Sequence, residues 1–491
     1  MIKSYENLSK DELIVELVSV KTGYETLQQN HLQLAEELAQ LKRMIFGSKS
    51  ERFIPSVHPS QSSLFELPML AKPELKEQIT YERKKVEKLT KDAAGRQMLP
   101  SHLERVEIFI EPKENIEGLK KIGEEVTEEL EYVPPVLKVN KYIRPKYAKP
   151  DGEGVLIGTL PSRPIEKGIP GPGLLAHILI SKYVDHLPLY RQIGQFKRLG
   201  VDVPASTMSD WVGTASDLIT PLYEVLKREV LLSGYIQADE TPIKVLDEDK
   251  KGSTHKGYYW VYHSPEKRLV LFDYRPGRGR EGPQEILTDY QGYLQTDAYS
   301  AYDSFDTQKI KLLHCMAHAR RMFEKALDND RERADFAMRK IQSLYAIERN
   351  LRESKTGVEE KLKLRIQDAV PVLKELELWM KDEIMKVTPQ SLIGKAIAYS
   401  LSRWDKLSLY ASDGRLEIDN NLVENAIRPV AIGRKNYLFA GSHDAAQRAA
   451  VIYSLVETCR KNNIEPFEWM KNTLSVIAEH KANQLKLLLP V

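Results

Sequence analysis

The chain has 491 residues, of which 42% are hydrophobic and 29% charged, and its formal net charge is +2. That length suggests three or four folding units with ample apolar material for cores, and the small net charge leaves nucleic-acid binding to be decided by local basic patches. No apolar run approaches ~18 residues, so no membrane span is expected. The opening MIKSYENLSKDEL lacks a signal-peptide pattern, and two cysteines, Cys315 and Cys459, fit a reducing cytoplasm and exclude a cysteine-rich zinc module.

Residues 1–50 carry a heptad. Leu13, Leu17, Val20, Tyr24, Leu27, His31, Leu34, Leu38, Leu41 and Ile45 alternate in steps of four and three, the spacing of a coiled-coil seam that would join copies into a homodimer or higher oligomer. Tyr24 and His31 weaken the seam, and a single amphipathic helix packed on its own protein is the bland alternative. Residues 51–100, broken by Pro55, Pro59, Pro68 and Pro73 and then strongly charged, read as a linker. From 101 to 160 the pattern turns strand-like, with RVEIFIE and PPVLKVNKYIRPKY alternating apolar and polar residues in a small β unit.

Residues 161–232 are helical. The stretch LLAHILISKYVDHL is one helix, and two more meet at a turn near Gly200, the composition of a helix-turn-helix. Its second helix, from about Ala205, would turn Ser206, Thr207, Ser209 and Asp210 outward and Met208 and Trp211 inward, with Arg191, Lys197 and Arg198 as further DNA-contact candidates. Helix pairs of this kind are also common in proteins that bind no DNA. Residues 233–327 then read βββαβαβα: IQADETPIKVL, GYYWVYHS and RLVLFDYR are strands, EGPQEILTDY a helix, and GYLQTDAYSAY and KIKLLHCMAHARRMFEKAL each a strand running into a helix. That order is the one of a ribonuclease-H-like α/β domain, a mixed sheet flanked by helices. Residues 328–411 are an all-helical insertion. Residues 412–460 complete the core, with SDGRLEID as turn and strand and NNLVENAIR as a short helix stopped by Pro429, and 461–491 form a C-terminal helix.

Three carboxylates fall where such a sheet would gather them. Asp239 lies in the first strand, Asp297 at the end of the fourth, and Glu424 in a late helix beyond the insertion. Carboxylates so placed can bind two hard, oxygen-seeking cations, Mg²⁺ or Mn²⁺, which would activate the attacking oxygen and stabilise the leaving oxygen of a phosphodiester displacement. Strands are poor in Asp, so each such residue needs a reason. Glu240 competes with Asp239, since adjacent strand residues face opposite ways; Glu424 has Arg428 four residues on for a plain helix ion pair; and Asp419 suits a helix cap. Arg320, Arg321, Arg428, Arg434 and Lys435 gather near the carboxylates, where they either contact phosphates or balance the acids. His314, Cys315 and His318 resemble a partial metal cluster without a fourth ligand.

The segments IQADETPIKVL, YLQTDAYSAYD, HCMAHARRMF and above all DGRLEIDNNLVENAIRPVAIGRKNYLFAGS resemble the transposases of the Insertion Sequence 66 family. The resemblance covers nearly the whole chain, through GRQMLPSHL, IGEEVTEELEYVP, RPKYA, LLAHILISKYVDHLPLYRQ and the closing FEWMKNTLSVIAEHKANQLKLLLP. It implies that Asp239, Asp297 and Glu424 are the three catalytic carboxylates of a DDE transposase. On that reading they use Mg²⁺ to cut double-stranded DNA at terminal inverted repeats, and the freed 3′ hydroxyl then attacks target DNA. It further implies that the helix-turn-helix binds the repeats, that accessory proteins of the element take part, and that the protein works on the bacterial nucleoid in the cytoplasm. A ribonuclease-H-like nuclease without strand transfer, or an inactive repeat-binding protein, are the competing readings. Family members commonly carry cysteine pairs for a small zinc site in the β unit; ENIEGLKKIG and RPKYAKPDGEG stand at those places without a cysteine, so no structural zinc is expected.

Overall fold

A computed structural model describes residues 137–148, 155–166, 168–247, 252–305 and 307–491. The heptad region, the linker and most of the β unit lie outside the described residues. Of that unit 137–148 and 155–160 are described: the strand expected over PPVLKVNKYIRPKY shrinks to β1 (Lys146–Ala148), with 137–145 in no strand, and β1 pairs antiparallel with β2 (Val155–Ile157), Tyr147 opposite Leu156.

Five strands make the central sheet: β3 (Tyr235–Leu246), β4 (Thr254–Ser264), β5 (Leu269–Arg275), β6 (Gly292–Thr296) and β7 (Ile310–His314), in the order β5-β4-β3-β6-β7. The first three run antiparallel, and β6 and β7 lie parallel to β3. Aromatic and β-branched residues crowd these strands, and Tyr259, Trp260, Val261 and Tyr262 are all buried in succession. Such unbroken burial means that both faces are covered. At the start of β6, Gly292 adopts φ +139°, and a Cβ there would sit 2.4 Å from the carbonyl oxygen of Gly234; no side chain fits where β3 and β6 begin to pair.

One edge of the sheet is closed by side chains. β5 has a partner on one side only, but α12 (His443–Lys461) lies along the other. There Phe272 N–H donates to Ser454 Oγ at 2.8 Å, Val270 N–H to Thr458 Oγ1 at 3.1 Å, and Tyr223 O–H to the Phe272 carbonyl at 3.0 Å. A covered edge cannot template pairing with another chain. Ser454→Ala leaves the Phe272 N–H buried and unpaired, so it is expected to cost about 1–3 kcal/mol. Thr458→Ser keeps its hydroxyl and is expected to melt close to the wild type; calorimetry of both variants checks the pair.

Three helices precede the sheet: α1 (Pro172–Tyr183), α2 (Leu189–Arg198) and α3 (Ala205–Leu231). Gly200 turns the chain between α2 and α3 at φ +83°. Met208 and Trp211 face inward while Ser206, Ser209 and Asp210 are exposed and Thr207 is half-buried. The helices are not a module to themselves, however. α3 is 27 residues long, and its Ile219, Leu222 and Leu226 share one hydrophobic core with Tyr259, Phe272 and Tyr453. Apolar residues persist along one face of α3 well past the turn of a recognition helix, and that face lies on the sheet.

After α4 (Glu281–Leu287) and the strands β6 and β7 come α5 (Met316–Lys325) and a helical insertion: α6 (Arg331–Glu353), α7 (Val358–Leu364), α8 (Val370–Glu383), α9 (Leu392–Leu401) and α10 (Trp404–Ser408). These helices enclose a second core of Ile341, Leu344, Leu373, Leu376 and Met380, which also takes in Tyr235 and Leu313 from the sheet. A π turn, Arg365–Ala369, joins α7 to α8. It turns Arg365 inward, where Glu348 receives it at 2.7 and 2.8 Å.

Two sequence expectations fail between 412 and 437. Residues 412–420 form no strand, because side chains of the sheet and of Arg365 take up their backbone groups in place of a ladder. The following helix, α11 (Asn421–Tyr437), does not stop at Pro429 but runs 17 residues through it. Proline in a helix interior costs about 3 kcal/mol. Here Pro429 is buried together with Ala426, Ile427 and Val430, and the packing of that face against β3 and β4 outweighs the loss. The C-terminal stretch is likewise not one helix. It divides into α13 (Pro466–Val476) and a 3-10 turn, Ala482–Leu488.

Candidate active site

Parallel pairing of β3 with β6 sets Tyr235 against Tyr293, Ile236 against Leu294 and Gln237 against Gln295. Every pair is offset by 58 positions, and the same offset continued by two residues brings Asp239 level with Asp297. Side chains two apart on a strand share a face, and neighbouring strands lie roughly 4.8 Å apart. The two aspartates are therefore neighbours on the face that carries Gln237 and Gln295, whose side chains are joined at 2.9 Å.

β6 ends at Thr296, and Asp297 is the first residue beyond it. Ala298 takes a left-handed φ of +71°, and Tyr299 N–H donates to Asp297 Oδ1 at 2.9 Å. Strained backbone of this kind persists only where its surroundings fix it, and it clusters at functional sites. Desolvation, and then the negative neighbours Glu240 and Asp297, push the Asp239 carboxyl well above the usual carboxylate range. Among the described residues no lysine or arginine pairs with Asp239 or Asp297.

Gln237 and Gln295 hold the third carboxylate's helix. Gln237 donates to the Asp419 carbonyl at 2.9 Å and accepts from Val423 N–H at 3.3 Å. Gln295 donates to the Glu417 carbonyl at 2.9 Å, and Glu417 N–H donates to Tyr235 Oη at 3.2 Å. From the side, Met316 N–H reaches the Ile418 carbonyl at 3.1 Å. The first turn of α11 is thus bonded to the strand two residues short of Asp239, and Glu424 sits in that turn, where a helix favours negative charge. Asp419 accepts from Asn421 N–H at 3.1 Å in a turn that leads into the helix, whose N-cap is Asn420 and not Asp419.

Glu240 faces away from this site. Its carboxylate is almost wholly enclosed and bonded to Arg278, whose guanidinium also lies 4.1 Å over the Tyr299 ring. Burial raises the Glu240 carboxyl and Arg278 opposes the rise. Of the two adjacent acids, Glu240 has a cation and Asp239 has none.

Glu424 takes a different partner. Arg321 Nη2 lies 3.4 and 3.5 Å from its two oxygens, while Arg321 Nη1 lies 3.1 Å from His318 Nε2. Burial, and then Arg321, hold His318 below its ordinary range, so the ring is neutral at pH 7. Among the described residues no three histidine, cysteine, aspartate or glutamate side chains lie close enough to share one ion. The donor set nevertheless fits a hard divalent cation: two level aspartates without a counter-charge, and a third carboxylate close enough to raise Asp239 further, turned toward Arg321.

The basic candidates are spread more widely. Arg320 pairs with Glu324 at 3.3 Å on its own helix, and Arg434 donates to Thr241 Oγ1 at 2.9 Å and the Pro242 carbonyl at 2.7 Å, tying α11 to β3 beyond Asp239. Arg428 and Lys435 are exposed on α11, and Arg191, Lys197 and Arg198 are exposed on α2. Cys315 is buried and accepts from Asn420 N–H at 3.5 Å, so it serves packing. Sequence reasoning missed Gln237, Gln295, Tyr235 and Arg278. A signal for the first two was present: both aspartates stand in a Gln-x-Asp triplet, Gln237-Ala-Asp239 and Gln295-Thr-Asp297.

Comparison with known families and proteins places these segments. Residues 167–448 match the profile described as Transposase IS66 family, and 454–491 match the IS66 C-terminal element. Residues 33–108 match a profile described as Transposase C of IS166 homeodomain. Residues 115–148 match the zinc-finger binding domain of transposase IS66, although that stretch holds neither cysteine nor histidine. The chain is similar to three uncharacterized proteins of Sinorhizobium fredii. It is 33% identical to y4qI over 97% of this chain and 91% of that protein, 32% identical to y4hP over 92% and 87%, and 30% identical to y4jD over 95% and 95%. No solved structure matches.

Proposed function

From the premise that this chain belongs to the IS66 transposase family, we propose that it cuts DNA at the ends of its element and joins the freed 3′ hydroxyls to target DNA. Asp239, Asp297 and Glu424 are the catalytic carboxylates of this reading. The observation that carries it is Asp239 on β3 and Asp297 one residue past β6, at the same offset of 58 as the paired residues of those strands and without a counter-charge. The order β5-β4-β3-β6-β7, three antiparallel strands followed by two parallel ones, supports a ribonuclease-H-like core for the site.

Asp239, Asp297 and Glu424 would hold two Mg²⁺ or Mn²⁺ ions, which supply Lewis-acid activation of the attacking and leaving oxygens. The chain's own residues do the rest. Gln237 and Gln295 fix the distance between the sheet and the Glu424 helix; Arg278 keeps Glu240 out of the site; Arg321, Arg428 and Lys435 meet phosphates. Exposed Arg191, Lys197, Arg198, Ser206 and Ser209 form the surface proposed to bind the terminal repeats. Thr207 is half-buried beside them.

The test is a labelled duplex ending in the element's repeat, incubated with the full chain and a plasmid target in Mg²⁺. Nicked ends and plasmid-joined products are expected. Nicking without joined product would reduce the protein to a nuclease, and repeat binding without either product would remove the catalytic assignment.

A further inference from the structure

Glu424 is the one member of the proposed triad that meets a cation, and that cation has chemistry of its own. Arg321 lies on α5, about half exposed, and presents one nitrogen to both oxygens of a carboxylate that is itself about a third exposed. Two oxygens about one guanidinium nitrogen are also what a phosphodiester offers. His318 orients the group, since its Nε2 accepts from Arg321 Nη1 at 3.1 Å. With Nε2 accepting, the neutral ring carries its proton on Nδ1, which is buried without a partner. A partly exposed pair at 3.4–3.5 Å is weak and exchanges readily.

We propose that Arg321 is a phosphate-binding residue of the active site and that Glu424 occupies its guanidinium until DNA arrives. A backbone phosphate takes Arg321, Glu424 is released toward Asp239 and Asp297, and the three-carboxylate set closes only on DNA. This rests on the catalytic reading above and adds its order of events: the chain without DNA is a weaker cation binder than the same chain with Glu424 free. His318 positions Arg321 and takes no direct part.

Calorimetric titration of Mn²⁺ into the full DNA-free chain tests it. Arg321→Gln is expected to bind Mn²⁺ at least fivefold more tightly than wild type, although it nicks the repeat duplex at least tenfold more slowly. In a Glu424→Gln background, Arg321→Gln is expected to change Mn²⁺ affinity less than twofold, because no carboxylate remains to be freed. Equal tightening in both backgrounds would mean that only a positive charge had been removed, and it overturns the exchange, as does unchanged affinity in the single variant. Asp239→Asn separates this failure from that of the site itself. If Asp239→Asn leaves wild-type Mn²⁺ binding unaltered, the catalytic reading falls; if it weakens binding while Arg321→Gln fails to strengthen it, only the exchange falls.

Discussion

Asp239→Asn is expected to abolish DNA cleavage and joining while making the metal-free protein more heat-stable. The first half follows from the site. Removing one preorganised charge-stabilising donor from an active centre costs on the order of 10²–10³ in rate. Losing a metal-binding oxygen from a three-carboxylate set is expected to reach the upper end of that range or pass it. The second half follows from the Asp239 environment. Desolvation and the charges of Glu240, Asp297 and Glu424 all favour its protonated form, with only the Glu240 N–H opposing them. A carboxyl whose folded pKa is raised contributes stability at pH below its unfolded value of 3.8, and loses that contribution as pH rises through the folded value.

Between its unfolded value and neutral pH the wild type therefore loses a contribution that asparagine, which does not titrate, never had to lose. The variant's thermal midpoint should exceed the wild type's by roughly 1 °C or more at pH 7 in chelator, from about 1 kcal/mol of relief. The difference should shrink toward pH 4, where the wild-type carboxyl is protonated as well. Saturating Mn²⁺ should reverse the order, because ligand binding to the folded state stabilises the wild type. Scanning calorimetry at two pH values, with and without Mn²⁺, reads all of these. A variant that melts below wild type in chelator at pH 7 would contradict the charge argument.

Much of this site was legible from residue types alone. The three strands of the antiparallel half announce themselves through aromatic and β-branched runs, and a strand aspartate needs a reason. Strand parity stated that only one of Asp239 and Glu240 could face inward. It could not say which, since that depends on Arg278 reaching Glu240 from the β5–α4 loop, 38 residues away. The register offset of 58 is equally invisible until β3 and β6 are known to pair in parallel. Pattern reading also stopped α11 at Pro429, because local propensity was all it had; tertiary packing carries the helix onward. Residues 412–420 alternated like a strand yet are held by glutamine, tyrosine and arginine side chains. Periodicity records which residues want burial, and it is silent about which partner satisfies the backbone.

Arg365 is the sharpest instance. In KLKLRIQDAV it reads as one more charge on a solvated helix, yet neither it nor Glu348 is exposed. Beyond its ion pair it donates to the carbonyls of Tyr410, Asp413 and Leu416 at 2.9, 2.8 and 2.8 Å, and its guanidinium lies 5.1 Å from the Tyr410 ring centroid. The segment it grips leads within a few residues to the Gln237 and Gln295 contacts and then to Glu424. Arg365→Met is expected to destabilise the protein by about 3–5 kcal/mol, since the buried charge of Glu348 loses its two-nitrogen partner and keeps only Lys361, 3.9 Å away. The double variant Arg365→Met/Glu348→Leu removes that charge and should recover part of the loss. Part should remain, because three carbonyls still lack their donor and the Tyr410–Leu416 segment is no longer pinned. If the insertion braces the catalytic helix through this arginine, the folded double variant should also nick DNA at least tenfold more slowly than wild type. Full recovery of both melting temperature and nicking would confine Arg365 to a replaceable ion pair and leave Gln237 and Gln295 as sufficient anchors for Glu424.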